Sequence, residues 1–318
     1  MTTRWGIAGT GRMAGVMADA FTHVANGELV AVGSRSAGRA AAFAAGHGIE
    51  TAHGTYRDLC GDDGVDAVYI ATPHPHHADI ALTAIESGKA ILVEKAFTSS
   101  VDDTARVIEA ARAAGVFCME AMWTRFNPAV DMIRWRIGEG VIGDLRGVHG
   151  DLTAYREFDP GDRLFAPELG GGAVLDLGVY VLSFAQHFLG TPQVVRAVGG
   201  TYRTGIESDV AILLGYADGR TSALTAGFTA HGPARMMLTG TKGWIDVHPR
   251  FHRATAITVR HGKEKAETLQ FPAGYQYEVM HVGECLDRGL TESPVMPLDD
   301  TLAVQRLMAD VLTQLGRD

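Results

Sequence analysis

Asp176 and Tyr180 stand four residues apart behind the glycine-rich segment 170–172, and on a helix their side chains share one face. A phenol exchanges a proton near neutral pH only if a neighbour lowers its pKa from about 10. Lys95 follows the apolar run 91–93 and is the candidate for that neighbour. At about 4 Å and an effective dielectric constant near 20, an ammonium favours a phenolate by at most about 4 kcal/mol. The three residues predict hydride-transfer chemistry, with Tyr180 as acid or base, Lys95 as its electrostatic partner and Asp176 orienting substrate hydroxyls.

Each of these side chains also has a structural interpretation that stays open. Asp176 stands where an acid caps a helix or complements its dipole, and Tyr180 stands where an aromatic ring packs in a core. Lys95 is adjacent to Glu94, but neighbours on a strand point to opposite faces, which disfavours a salt bridge between them. No single one of these residues predicts catalysis without the others.

A dinucleotide site is predicted at the first strand-to-helix turn. Gly9, Gly11 and Ala14 form the pattern G-x-G-x-x-A between a predicted strand and a predicted helix. Glycines let the backbone approach a pyrophosphate, whose charge then lies at the helix N-terminus. Such turns also occur without a ligand, so the prediction depends on the alternation of strands and helices around this one. The expected cofactor contacts are Gly9, Thr10, Gly11, Arg12, Met13, Ser34, Arg35, Arg39, Thr72, His74, His77, Glu94 and Lys95.

The end of the second predicted strand favours NADP as the cofactor, with NAD as the alternative. An NAD enzyme places an Asp or Glu there to bind the ribose 2′-hydroxyl, whereas this chain has Ser34-Arg35-Ser36 followed by Arg39. A guanidinium binds a 2′-phosphate through paired, charge-assisted hydrogen bonds. The other interpretation is that the two arginines only solvate the start of a helix.

Three histidines, His74, His76 and His77, follow the predicted strand 67–70 on the sheet edge where ligands bind. A metal site is disfavoured, because no Cys or carboxylate stands at ligand spacing and the interleaved prolines prevent a shared helical face. We expect His74 and His77 to line the nicotinamide ribose and His76 to face solvent.

The elements that position these residues change character near Trp123. From Trp5 to about Glu120, apolar runs alternate with helix-period segments, which is typical of a parallel, Rossmann-like sheet. The predicted strands there are 5–8, 29–32, 67–70, 90–93 and 116–119, and the predicted helices are 13–25, 37–45, 77–87 and 101–114. Afterwards, period-two runs at 146–152 and 208–214 and the turn 217–220 indicate an antiparallel sheet. Helices are expected near 173–188, 275–288 and 298–315.

The predicted fold class is therefore α/β, with an N-terminal Rossmann dinucleotide-binding domain and a C-terminal α+β domain that contains a large, mostly antiparallel open sheet. A chain of 318 residues, with 46% hydrophobic and 20% charged residues, is long enough for two globular domains.

The composition also argues against several partners. The net charge of −9 and the 28 dispersed Lys and Arg residues argue against nucleic acid. Cys60, Cys118 and Cys285 are odd in number and lack a CxxC pair, so we expect reduced, buried thiols. No apolar run approaches the roughly 18 residues that span a bilayer, and no signal-like segment precedes Trp5. We therefore expect no membrane association and a cytoplasmic location.

Several motifs together resemble the glucose-fructose oxidoreductase/inositol dehydrogenase/MocA family over nearly the whole chain. They are Gly9-x-Gly11-x-x-Ala14, His74-Pro75-x-His77, Glu94-Lys95, Met119 to Phe126 and Gly170 to Tyr180. The segments 123–126 and 176–180 most resemble dimeric dihydrodiol dehydrogenases and NADP-dependent D-xylose dehydrogenases, with Tyr180 where many members have His.

The resemblance implies a substrate bound between two domains and an open C-terminal sheet that mediates assembly into a homodimer or homotetramer. The expected bounds are 1–122 for the Rossmann domain, 123–300 for the substrate-binding and oligomerisation domain, and 301–318 for a C-terminal helix that packs back on the first domain. The resemblance further implies NADP phosphate contacts from Arg35 and Arg39, cofactor or active-site roles for His74, His77 and Lys95, and a catalytic pair of Asp176 and Tyr180. The expected substrate contacts are Trp123, Arg125, Asp176 and Tyr180.

One position departs from the family's pattern, because the usual Glu-Lys-Pro is Glu94-Lys95-Ala96 in this chain. A cis bond before alanine costs about 2.5–4 kcal/mol, so the Lys95–Ala96 bond is expected to be trans, or strained.

The function predicted from the sequence is that of an NADP-dependent oxidoreductase, which interconverts a hydroxyl and a carbonyl on a sugar, polyol or dihydrodiol. Two alternatives stay open. One is an NAD-dependent glycoside hydrolase of the same fold, against which Arg35 argues. The other is a non-catalytic dinucleotide-binding sensor, which would have no need for Lys95, Asp176 and Tyr180 together.

Overall fold

The computed structural model describes residues 2–317, and their contacts group into two compact units. The first unit holds the chain up to Met122 together with Gly274–Leu302. The second unit holds Trp123–Ala273 together with the chain from Ala303 onward. Residues 1 and 318, which the expected domain bounds include, lie outside the described part of the chain.

Strands and helices alternate along the first unit. The strands are β1 (Thr3–Ala8), β2 (Gly27–Gly33), β3 (Thr51–His53), β4 (Ala67–Ile70), β5 (Ala90–Glu94) and β6 (Cys118–Ala121). The helices are α1 (Arg12–Ala20), α2 (Ala37–His47), α3 (Tyr56–Cys60), α4 (His77–Glu86) and α5 (Val101–Ala114). Within the described residues, the six strands form one parallel sheet in the order β3-β2-β1-β4-β5-β6.

This sheet order explains where a ligand would bind. β4 and β5 are buried at every residue, as is usual for parallel strands covered on both faces. The chain order reverses between β1 and β4, and open α/β sheets bind ligands beyond the carboxyl ends of the strands at such a point. The loops after β1, β4 and β5 carry the glycine motif, the histidines and Lys95. The Rossmann prediction is confirmed.

The second unit contains a larger, mixed sheet. Its first helix and strand are α6 (Pro128–Gly138) and β7 (Leu145–Thr153), followed by a π-helical turn (Val174–Gly178) that continues into α7 (Val179–Leu189). The remaining strands are β8 (Val194–Thr201), β9 (Glu207–Gly215), β10 (Thr221–Gly227), β11 (Met236–Gly240), β12 (Gly243–Val247), β13 (Ala256–His261) and β14 (Glu267–Gln270). In the part of the chain that the structure describes, the order is β14-β13-β12-β11-β7-β10-β9-β8, and only β7 and β10 pair in parallel. The prediction of a mostly antiparallel sheet is confirmed.

One face of this sheet is covered and the other is open. α7 packs against β7 and β10. Along β9, Ile212 and Leu214 are buried, whereas Leu213 between them is 60% exposed. Val198 on β8 is 72% exposed and belongs to the same outer face, because it pairs with Ala211, two residues before Leu213. The outer face therefore presents apolar side chains to solvent.

The last two helices differ from the expected domain bounds. α8 (Gln276–Asp287) belongs to the first unit, whereas the sequence predicts it within 123–300. The side-chain amide of Asn26 donates to the carbonyl of Met280 at 2.8 Å, and Arg112 pairs with Glu292 at 2.8 Å, which ties this segment to the first unit. α9 (Leu298–Gln314) begins in the first unit, where Leu298 joins the hydrophobic core, and its residues from Ala303 group with the second unit. Gln314 there accepts the backbone N–H of Ala197 at 2.9 Å.

Several short elements depart from the prediction. β3, α3 and α6 are not predicted from the sequence, and α1 ends at Ala20 instead of residue 25, followed by a 3-10 turn at Phe21–His23. The three cysteines are free and buried, as expected.

Pro167–Leu189 has a mean hydropathy of 1.3 over its most apolar window, so this segment is long and apolar enough by composition alone to cross a membrane. Since 83% of that window is buried within the structure, a core helix accounts for its composition.

Candidate active site

Two glycines shape the turn between β1 and α1. Gly9 has a φ of +129°, and a Cβ there would lie 2.8 Å from the carbonyl oxygen of Ala71, so only glycine fits beside the end of β4. A Cβ on Gly11 would meet nothing within 4 Å, which leaves open space in front of the first turn of α1. Gly11 precedes that helix and has no side chain to cap its first amides. These amides are therefore available to an anion such as a pyrophosphate.

An open pocket of about 410 Å³ lies in front of this turn. Arg35 and Arg39 reach it as exposed side chains, while Ser34 is buried and Ser36 caps α2 by accepting the Arg39 N–H at 3.4 Å. Tyr56 also lines the pocket, although its sequence position does not mark it, and burial, partly offset by the nearby charge of Arg35, raises the pKa of its phenol. The lining consists of Gly9, Thr10, Gly11, Ser34, Arg35, Ser36, Arg39, Tyr56, Ala71, Thr72 and Pro73.

Part of the expected cofactor set lies outside this lining. Arg12 and Met13 form the first turn of α1 and do not line the pocket. His77 is fully buried, with Nδ1 3.1 Å from the carbonyl oxygen of Phe97 and Nε2 2.7 Å from that of Thr72. Burial lowers the pKa of His77. The Nδ1 contact connects the start of α4 to the loop after β5, whereas the Nε2 contact lies within the segment that follows β4. The neutral ring donates to one of the two carbonyls.

His74 makes a similar connection. It is 5% exposed, and its Nε2 lies 3.2 Å from the carbonyl oxygen of Lys95. Its ring contacts that of His77 edge to face, with centroids 5.6 Å apart. His76 is partly exposed. The His74 contact therefore links the loop after β4 to the backbone of Lys95.

Lys95 lies in a segment that two carboxylates hold from behind. The Glu94 carboxylate accepts the backbone N–H of Lys95 at 3.1 Å, and the Glu120 carboxylate accepts that of Phe97 at 3.2 Å. The bond between Lys95 and Ala96 is cis, so the first of the two expected alternatives, a trans bond, does not hold. Because the amides on both sides of Ala96 are bound by carboxylates, the local hydrogen bonding defines this backbone path without a proline.

Further buried acids and a phenol surround this segment. Tyr69 on β4 is fully buried and donates its hydroxyl hydrogen to Glu94. Glu278 on α8 is fully buried, and burial, followed by the charges of Glu94 and Glu120, raises its pKa well above the ordinary value. Burial likewise raises the pKa of Tyr69. Sequence reasoning predicts none of these contacts, because Glu278 comes from a helix far along the chain.

In the second unit, Trp123 and Tyr180, both expected substrate contacts, lie in hydrogen-bonding contact. The indole N–H of Trp123 donates to the hydroxyl oxygen of Tyr180 at 3.2 Å, and the tyrosine is 8% exposed. The His252 ring lies 5.3 Å from that of Tyr180 and 5.9 Å from that of Trp123, between centroids. Thr124 donates its hydroxyl hydrogen to the carbonyl of His252 at 2.8 Å. His252 is thus a member of the cluster that the sequence analysis misses.

Asp176 lies on the π-helical turn that leads into α7. Such turns occur frequently at functional sites. Its carboxylate pairs with Arg163 at 3.3 Å, and its side chain is 17% exposed. The pairing fixes the carboxylate while leaving part of it accessible.

Arg125, an expected substrate contact, lies in the interior of the second unit. It is 2% exposed, and its guanidinium donates to the Gln186 side chain at 2.6 Å and to the Ser183 hydroxyl at 3.2 Å. Burial, followed by the nearby charge of Arg125, lowers the pKa of His187 to about 3. These contacts assign Arg125 to the packing of α7.

Both halves of the chain match known protein families. The oxidoreductase family with an NAD-binding Rossmann fold matches residues 3–122, and the GFO/IDH/MocA C-terminal domain matches residues 130–246. The chain is 34% identical over 329 residues to trans-1,2-dihydrobenzene-1,2-diol dehydrogenase of Xenopus laevis, covering 99% of each chain. It is 32% identical to the Homo sapiens enzyme of the same name, covering 100% of this chain and 97% of the other.

Solved structures share the fold over the whole chain. A 3-ketoreductase from Actinomadura kijaniata, in complex with NADP and TDP-benzene, is 27% identical with a TM-score of 0.87, covering 100% of this chain and 99% of the other. A levoglucosan dehydrogenase, in complex with NADH and levoglucosan, has a TM-score of 0.90 at 22% identity, covering 99% and 98%. The second likeness concerns the fold alone.

Proposed function

Because the chain belongs to the GFO/IDH/MocA family of NAD(P)-dependent oxidoreductases, we propose that it uses NADP to interconvert a hydroxyl and a carbonyl on a small sugar, polyol or dihydrodiol. A nicotinamide, when bound, supplies or accepts the hydride. The remaining chemistry belongs to the chain itself: binding the nucleotide, orienting the substrate and moving one proton.

The pocket of the first unit supports NADP over NAD. Among the described residues that line it, Arg35 and Arg39 supply two cations and no side chain supplies a carboxylate. An NAD enzyme uses a carboxylate on the ribose 2′-hydroxyl, and that carboxylate would repel a 2′-phosphate. Tyr56 lines the same pocket as these two arginines. The 3-ketoreductase relative is in complex with NADP, whereas the levoglucosan dehydrogenase is in complex with NADH.

The hydrogen bond from Trp123 to Tyr180 is the observation that carries the catalytic proposal. A donor to the hydroxyl oxygen favours the phenolate over the phenol, since the negative charge strengthens the bond. On oxidation, the Tyr180 phenolate takes the proton of the substrate hydroxyl while the hydrogen on carbon leaves as hydride and the C–O bond becomes a carbonyl. On reduction, Tyr180 returns that proton.

The roles of Lys95 and Asp176 complete the catalytic proposal. Lys95 acts as the electrostatic partner of the phenolate. This assignment rests on the chemistry of the two side chains, because an ammonium favours the charged form of a phenol. Asp176, held by Arg163, accepts hydrogen bonds from substrate hydroxyls. A carboxylate accepts hydrogen bonds from the hydroxyls of a polyhydroxylated ring, and the relatives act on a dihydrodiol or reduce a ketone by name. Arg125 is assigned to packing instead of substrate contact.

A substrate panel tests this function. The protein is mixed with NADP or NADPH and a set of pentoses, hexoses, polyols and trans-dihydrodiols with their ketones, and absorbance of the reduced nicotinamide is followed. We expect stoichiometric change with at least one class. Hydrolysis of a glycoside without net change in NADPH would favour a hydrolase, and nucleotide binding without turnover of any compound would favour a sensor.

The outer face of the second unit's sheet supports a homo-oligomer. Val198 and Leu213 are exposed on that face, and exposed apolar patches of this kind are usually covered by a partner. We propose a homodimer or homotetramer assembled through this sheet, and a cytoplasmic location.

A further inference from the structure

A buried carboxylate lies at the start of the helical segment that carries Asp176 and Tyr180. Glu207, the first residue of β9, is 0% exposed. A buried charge is retained only when it is paired and hydrogen-bonded. One carboxylate oxygen of Glu207 accepts the backbone N–H of Val174 at 2.9 Å, and the other is paired with the guanidinium of Arg317. Both partners lie far from Glu207 along the chain.

The position of Val174 links this ion pair to the proposed chemistry. Val174 opens the π-helical turn that contains Asp176, and the turn continues directly into α7 with Tyr180 as its second residue. The first amides of a helix have no partner within the helix, and a carboxylate placed there also complements the helix dipole. The Glu207 carboxylate therefore fixes where the helical segment begins.

The glycines of this segment make room for the carboxylate. Gly172 has a φ of +122°, and a Cβ there would lie 2.2 Å from an Oε atom of Glu207. A Cβ on Gly171 would lie 2.7 Å from the carbonyl oxygens of Arg163 and Leu164. Arg317 also donates to the carbonyl of Gly171, at 3.5 Å. The glycine-rich turn thus allows the backbone to close around one ion pair.

We propose that Glu207 and Arg317 form a clamp that positions Asp176 and Tyr180, which makes Arg317 a positioning residue for the reaction. Neither residue lines the dinucleotide pocket, so the clamp acts on the alcohol or carbonyl substrate and not on NADP. Without Arg317, Glu207 is a buried carboxylate that has lost its ion-pair partner, and it either draws in water or moves. Both outcomes weaken its bond to Val174 and displace the start of the segment. The catalytic part of this inference rests on the proposed function.

The test compares Arg317→Ala, Arg317→Lys and Glu207→Gln with Arg306→Ala, a control at an exposed position of α9. Amide hydrogen exchange is measured on peptides that cover residues 170–182. We expect the Val174 amide to exchange at least about tenfold faster in Arg317→Ala and Glu207→Gln, and at the wild-type rate in the control. Arg317→Lys keeps the charge but loses the planar fork, so its exchange should be intermediate.

Kinetics supply the second readout. For Arg317→Ala we expect KM for the alcohol to rise and kcat to fall by about tenfold or more, with KM for NADP within about twofold of wild type. Added guanidinium ion at millimolar concentration should restore part of the activity and slow the exchange at Val174, since it can occupy the vacated position. A merely destabilised fold would not show such rescue.

A failure of the proposed clamp can be told apart from a failure of the proposed function. Wild-type exchange at Val174 in both Arg317→Ala and Glu207→Gln would overturn the clamp, whether or not a substrate is found. Faster exchange with unchanged KM and kcat would overturn its positioning role. If Arg317→Ala does not fold, Glu207→Gln, which keeps the shape of the side chain, decides the result by the same exchange measurement.

Discussion

Glu278→Gln tests whether one buried acid behind the Lys95 segment keeps its proton in the folded protein. Glu278 is fully buried on α8, and neither of its carboxylate oxygens has a hydrogen-bond partner among the described residues. Burial raises its pKa well above the ordinary value, and the charges of Glu94 and Glu120 raise it further. The nearby phenol of Tyr69 donates its hydrogen bond to Glu94 and carries no positive charge that would stabilise an ionised Glu278. Glu278 is therefore expected to keep its proton in the folded protein at pH values where it is ionised in the unfolded chain.

The sign of the pH dependence follows from this difference. The pKa in the unfolded chain is about 4.3, and the pKa in the fold lies above it. The stability that Glu278 contributes is complete below the unfolded pKa and is lost as pH rises towards the folded pKa. Each pH unit between the two values costs about 1.4 kcal/mol, because the unfolded state releases the proton first. Glutamine cannot ionise, so the variant escapes this loss.

The assay is urea unfolding of wild type and Glu278→Gln, followed by circular dichroism, from about pH 4 to about pH 8. We expect the variant's advantage in free energy of unfolding to grow by about 1.4 kcal/mol per pH unit above about pH 4.3 and to level off at the folded pKa. The matched control is Glu284→Gln, an exposed position of the same helix, which should show no such slope. An infrared band of a protonated carboxyl that is absent from Glu278→Gln would identify the proton directly. A difference that stays flat with pH would refute the reasoning.

Four further predictions concern the pocket, the acid–base pair and the sheet face. Arg35→Ala should weaken NADP binding roughly tenfold to a hundredfold and leave NAD nearly unchanged, whereas Arg57→Ala on α3 should change neither; equal losses for both nucleotides would contradict the assignment. Tyr180→Phe should lower kcat by about 10²–10⁴ with NADP affinity intact, and a variant that keeps most of its kcat would exclude Tyr180 as the acid or base. Lys95→Met should shift the basic limb of the pH profile for carbonyl reduction to higher pH, since a cation that favours the phenolate is removed. A limb that stays at the same pH would show that Lys95 does not act on Tyr180. Leu213→Glu should convert the oligomer to monomer in sedimentation experiments, and a monomeric wild type would contradict the proposed interface.

The first unit was predictable because its elements are defined by local patterns. β4 is an uninterrupted apolar run and β5 is apolar up to its last residue, Glu94. Ser100 caps the start of α5 by accepting the Asp103 N–H. β3 has three residues and α3 has five, too few to establish a period. α6 has a start signal that the sequence analysis overlooks, since Asn127 caps it and Pro128 occupies its first turn.

The candidate site was predictable only where backbone geometry imposes the residue type. Gly9 is required by the close approach of the Ala71 carbonyl, so the glycine motif marks the correct turn. Arg125 and His77 have side chains suited to binding ligands, but both are buried and bonded within the protein. The direction of a side chain depends on which neighbouring element covers it, and the sequence pattern does not contain that information. Tyr56 is missed for the same reason.

Buried glutamates connect these observations. Glutamate is almost never fully buried unless it is paired, yet Glu94, Glu120 and Glu207 are each at most 7% exposed. All three carboxylates accept backbone N–H groups in the segments that carry the proposed site. Glu94 accepts the N–H of Lys95, and Glu207 accepts the N–H of Val174. Backbone amides in loops and at helix starts lack the inter-strand hydrogen bonds that hold a β-strand in place. A charge-assisted hydrogen bond to a buried carboxylate holds such an amide instead. A carboxylate also binds such an amide more strongly than a neutral acceptor does, which favours glutamate over glutamine at these positions despite the cost of burial. In each unit, therefore, buried acids define the backbone from which the proposed catalytic side chains project.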